Sequence, residues 1–90
     1  MRWRSASPEA LAWREYEDEV VVRNVHTGST HLLNAVSAAI LRELTQADHP
    51  LAAAEIAARL ADNVDEAWMR SIEEILVEFQ RLGLAQAEGG

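Results

Sequence analysis

Ninety residues suffice for one domain with a thin core, because a chain of this size buries only about 60–65% of the surface its unfolded form exposes. Eight Arg, no Lys and fifteen carboxylates give a net charge of -7, which disfavours nucleic acid and anionic membranes as partners. The lack of Cys excludes disulfides and thiolate chemistry, and no apolar stretch approaches the roughly 20 residues of a membrane span, so a soluble, cytoplasmic protein is expected.

Residues 1–10, with Pro8, two Arg and Trp3 but no periodicity, read as an N-terminal arm. From Leu11, "LAWREYEDEVVVRNV" alternates around a charged break at Glu17 and Asp18, which predicts two short strands in a hairpin. A two-residue loop there pairs Tyr16 with Glu19 and Trp13 with Val22, and puts Trp13, Val20 and Val22 on one face. In "NVHTGST", Asn suits the start of a type I turn and Gly the left-handed residue that closes a longer loop. A loop at Val25 to Gly28 then pairs Asn24 with Ser29 and Val20 with Leu33. A tighter turn at Gly28 and Ser29 shifts the pairing by two residues per strand and keeps the faces.

The third strand, Thr30 to Leu33, is short, and Asn34 follows as a helix N-cap. Val36, Ile40 and Leu44 recur every four residues and predict a helix from Ala35 to about Gln46. A second helix is expected from about Ala52 to Ala61, with Ile56 and Leu60 as its stripe and no Ser or Thr to cap it. After "DNVD", Asp65 caps the longest helix, which runs to Leu82 and stops at Gly83. Its stripe is Trp68, Ile72, Ile75, Phe79 and Leu82, widened on one side by Met69 and Leu76. Residues 86–90 read as a flexible tail, leaving 11–85 as the domain. Strands first and helices afterwards indicate an α+β, winged-helix-like fold: a three-stranded antiparallel sheet followed by three helices.

Little in the chain suggests catalysis. Ser29, Ser37 and Ser71 lie in no nucleophile motif, there is no Gly-rich phosphate loop, and the carboxylates sit in solvated runs such as EYEDE. His26 and His31 face each other only in the tighter register, and a third metal ligand is missing even then. No catalytic residue, metal or cofactor is expected. The helix pair around DNVD would suit a winged-helix regulator, but Asp65 to Leu82 holds five carboxylates against Arg70 and Arg81, the wrong sign for a major groove.

The sheet offers another reading. A short sheet leaves an edge unpaired, and an unpaired edge is a template for an extended peptide or for a second copy of the chain. Two consecutive leucines in Thr30 to Leu33 cannot both face the core. Leu32 is either covered by a helix or floors a groove beside the longest helix, with Met69 and Leu76 as walls.

"LAWREYEDEVVVRNVHTGSTHLLNAVSAAIL", "LAAAEIAARLAD" and the terminal "FQRLGLAQA", in that order and spacing, resemble the PqqD family of recognition domains for ribosomally made precursor peptides. The likeness spans roughly Leu11 to Leu84, and "WREYEDE" with the early Trp3 is similar to the subset associated with HPr-kinase-related proteins. The resemblance implies a peptide chaperone without catalytic activity. It would bind a precursor's leader as a strand beside the third strand and against the third helix, then present it to a modifying enzyme. That partner is a radical SAM maturase in pyrroloquinoline quinone (PQQ) biosynthesis, or an HPr-kinase-related protein. Carried onto this chain, the peptide-binding residues are Thr30, His31, Leu32 and Leu33 on the strand and Trp68, Met69, Ile72, Glu73 and Leu76 on the helix. Val25 stands where many relatives have Pro.

Overall fold

The computed structural model describes residues 1–88. The chain forms β1 (Arg2–Ser5), a 3₁₀ turn (Pro8–Ala10), β2 (Leu11–Glu15), β3 (Val20–Asn24), β4 (Thr30–Leu33), α1 (Ala35–Gln46), α2 (Ala53–Leu60), α3 (Glu66–Leu82) and β5 (Ala85–Glu88). Strands β2, β3 and β4 make an antiparallel sheet in that order, and β1 pairs with β5 in a separate two-stranded ribbon. The α+β class expected from the element order is the one observed.

Both hairpins adopt the predicted registers. Trp13 pairs with Val22, and the Tyr16 N–H donates to the Glu19 carbonyl at 2.8 Å across the Glu17–Asp18 turn. In the second hairpin Val20 pairs with Leu33, and the Asn24 N–H donates to the Ser29 carbonyl at 2.9 Å. The tighter register does not form. The reason lies in Asn24 and Gly28. The buried Asn24 side chain accepts the His26 and Thr27 N–H groups at 3.0 and 3.3 Å, while Gly28 takes the left-handed conformation, φ 79°, that closes a four-residue loop.

Val20, Val22, Leu11 and Leu33 point from the sheet into one core with Ala38, Ile40, Leu41 and Leu44 of α1, Ile56 and Ala57 of α2, and Ile72, Leu76 and Phe79 of α3. The N-caps of α1 and α3 are those the sequence predicts. Asn34 Oδ1 accepts the Ser37 N–H and Asp65 Oδ1 the Trp68 N–H, each at 2.8 Å, and Gly83 ends α3 with φ 77°. Replacing Asn34 by Ala is expected to cost about 1 kcal/mol of stability, read from urea melts, because an orphan helix N–H loses its acceptor. At α2, Ala52 has no acceptor to offer. The Glu55 carboxylate instead reaches back to the Ala52 N–H at 3.0 Å and pairs with Arg2 at 2.8 Å. The Ala52 bond, with Arg2 adding to it, holds the Glu55 pKa below its ordinary value.

Several positions differ from expectation. Val36 is 42% exposed, because the buried face of α1, formed by Ala38, Ile40, Leu41 and Leu44, is centred roughly a quarter turn away. Leu76 lies at the centre of the α3 stripe rather than at its margin, and Leu60 is only half-buried. The largest difference is at the ends. The arm and most of the tail pair as β1 and β5, Arg2 opposite Glu88 and Ser5 opposite Ala85; residues 89 and 90 of the expected tail lie outside the described residues. Trp3 anchors this ribbon. It is 6% exposed within the core, and its main chain exchanges bonds of 2.7 and 2.9 Å with Leu51.

Candidate functional site

Strand β4 lies at an edge of its sheet, and among the described residues β3 is its only strand partner. In an antiparallel ladder, bonded and non-bonded pairs alternate. Since Asn24 and Ser29 form a bonded pair, so do Val22 with His31 and Val20 with Leu33, while Thr30 and Leu32 face Arg23 and Val21 in non-bonded pairs. The N–H and C=O groups of Thr30 and Leu32 therefore point away from β3, along the open edge. Their side chains lie on the sheet face opposite the helices, whereas Leu33 turns into the core.

The doubled leucine thus resolves into two environments. Leu33 is buried, and Leu32 is 65% exposed with no helix over it. His31 is half-buried and its Nε2 is 3.1 Å from Ser29 Oγ. The opposite edge, β2, is less available: the Leu11 N–H is bonded to the Pro8 carbonyl, Arg42 of α1 pairs with Glu15, and the Arg42 guanidinium lies 5.0 Å from the centre of the Trp13 ring.

Beyond Asn34 the chain enters α1, where Ala35, Val36 and Ala39 join Leu60 and Trp68 around an almost wholly apolar depression of about 200 Å³. The indole N–H of Trp68 donates to the Ala57 carbonyl at 3.1 Å, which satisfies its one polar atom and fixes the ring between α2 and α3. Trp68 is thus the α3 residue brought together with the segment that follows β4. Glu73 is exposed, Met69 packs half-buried at the core margin, and neither lines the depression. Ile72 and Leu76 are fully buried and offer no surface in this conformation; they hold α3 against the core. Ala35, Val36, Ala39 and Leu60 are the lining residues that the sequence reading missed, having assigned Val36 and Leu60 to the core. An available signal was the excess of apolar positions over what one face of two short helices can bury.

His26 and His31 are not cross-strand partners in this register, and among the described residues no group of three His, Cys, Asp or Glu could hold a metal ion. His49 is bonded through Nδ1 to the adjacent Asp48 at 2.6 Å, and that bond lowers the Asp48 pKa. No helix is long and apolar enough to cross a membrane among the described residues.

No protein-family model and no curated protein matches the sequence. Solved structures do. The fold is shared with two leader-peptide complexes. One is TbiB1 in complex with the TbiA(beta) leader peptide, 21% identical, with a TM-score of 0.72 over 97% of this chain and 99% of that one. The other is lasso peptide synthetase B1 complexed with the leader peptide, 19% identical, with a TM-score of 0.70 over 97% of this chain and 100% of that one. At such identities the likeness is one of fold, and it extends over nearly the whole chain.

Proposed function

We propose that this chain is a PqqD-like recognition domain. It binds the leader of a ribosomally made precursor peptide as an added strand on β4 and presents that peptide to a modifying enzyme. The observation that carries this reading is the open edge of β4, with the main-chain groups of Thr30 and Leu32 turned outwards next to an exposed leucine. The shared fold with two proteins solved with leader peptides supports it. Four outward groups can form up to four main-chain bonds, each contributing a net ~0.5–1.5 kcal/mol. Apolar side chains of the peptide beyond Leu33 would enter the depression at Val36, Leu60 and Trp68, adding selectivity to that sequence-independent affinity.

The domain itself is an adaptor and the chemistry belongs to its partner, a radical SAM maturase or an HPr-kinase-related protein. A winged-helix regulator of DNA is disfavoured by charge, since α3 and its cap carry five carboxylates against two Arg. Titration with peptides selected from a displayed library, followed by backbone amide shifts, is expected to move Thr30 to Leu33, Val36 and the Trp68 indole most. Shifts confined to residues 62–65 with β4 silent would count against the site, and binding to random duplex DNA that collapses on adding salt would favour the regulator.

A further inference from the structure

The sheet face away from the helices has a charge arrangement unlike the rest of this acidic protein. Its cross-strand rows follow from the register: Ala12, Arg23 and Thr30 form one, and Arg14, Val21 and Leu32 the next. A shallow depression of about 290 Å³ runs over this face, with both arginines at its border. Five of the eight Arg pair with carboxylates, namely Arg2, Arg4, Arg42, Arg59 and Arg81; among the described residues Arg14, Arg23 and Arg70 have no such partner, and the first two share this face while Arg70 lies on α3.

A strand added to β4 would extend both rows by one residue. In the first row its side chain would meet small Thr30, with the Arg23 guanidinium directly behind. Two strand spacings come to about 10 Å, a gap that a carboxylate side chain and an arginine reaching towards each other can close over a threonine. In the second row the new side chain would meet Leu32 and then Val21, with Arg14 one strand further off. We infer that this face selects leaders carrying an acidic residue opposite Thr30 and an apolar residue two positions away, opposite Leu32. The inference rests on strand addition at β4 and deepens it: despite a net charge of -7, the edge reads a carboxylate. The intervening peptide residue points to the core side and is free of this requirement.

The test uses the full chain and a library-selected peptide that shifts the β4 amides, with its position opposite Thr30 identified from cross-strand proton contacts. Three versions of the peptide carry Asp, Ala or Arg there. The expected order of affinity is Asp, Ala, Arg, with roughly a three- to tenfold spread that shrinks in high salt, as for a partly exposed ion pair. Arg23→Glu is expected to reverse the order and Arg23→Gln to flatten it, while Arg14→Glu leaves it nearly unchanged; thermal melts check that each variant is folded. Equal affinities for the three peptides, or an order indifferent to Arg23→Glu, overturn the inference while leaving strand addition intact. If no library peptide shifts the β4 amides, both fall together.

Discussion

Replacing Leu32 by Pro is expected to weaken peptide binding by roughly tenfold to a hundredfold while leaving the domain folded. The Leu32 N–H points out of the sheet, so its loss removes no bond within the protein, and an edge strand with its N–H to solvent is where proline is tolerated. A visiting strand, however, loses a donor for one carbonyl, at about 1–3 kcal/mol for a group left unsatisfied, and it also meets the pyrrolidine ring. His31→Pro should behave in the opposite way. The His31 N–H faces Val22 inside the ladder, so proline there is expected to melt the β3–β4 hairpin. Leu32→Ala separates the side chain from the main chain, since it keeps the donor and removes the exposed apolar surface. Calorimetric titration with a library-selected peptide, alongside circular dichroism, checks all three. Undiminished affinity in a folded Leu32→Pro variant would remove β4 as the binding edge.

The second large effect is on stability, and it concerns residue 3. Trp3→Ala is expected to cost about 3–5 kcal/mol, as for other large aromatic truncations in a core. Domains of this kind have roughly 5–15 kcal/mol in total, so much of the reserve would be lost. A melting temperature lower by more than about 12 °C follows, taking about 4 °C per kcal/mol for a chain of this length. Val77→Ala, at an exposed position of α3, should stay within about 0.5 kcal/mol and serves as the reference. Urea denaturation of the two variants gives the comparison. A loss below about 1 kcal/mol for Trp3→Ala, with the amides of residues 2–5 exchanging freely, would mean that the ribbon is not held by its tryptophan.

These cases also mark what the sequence makes legible. Local chemistry was decisive where a single residue type has one reason to stand where it does: Asn24 and Gly28 define a loop, Asn34 and Asp65 define helix starts, and Gly83 defines a stop. Through them the faces of the second hairpin were legible and its looser register was preferred over a tighter one two residues away; the charged break at Glu17 and Asp18 did the same for the first hairpin, and the pairing itself decides the register. Contacts between distant segments were not legible. β1 and β5 are about eighty residues apart, and each is only four residues long, so the alternation in RWRS and AQAE is too short to announce a strand. Helix faces were partly legible, since period fixes which residues share a stripe but not which part of the stripe faces the core. The buried face of α1 runs through Ile40, Leu44, Leu41 and Ala38, so Val36, expected in the core, is instead part of the apolar surface beside Trp68.

Because Arg2 stands opposite Glu88, the two ends of the described chain lie side by side, about one strand spacing apart. Entry and exit therefore share one doorway, built on a ribbon separate from the sheet that carries β4. A longer protein could receive this unit in a surface loop, or carry it at either end on a short tether, without stretching its frame. Such portability would suit the proposed adaptor role, in which the bound peptide is handed to a separate enzyme.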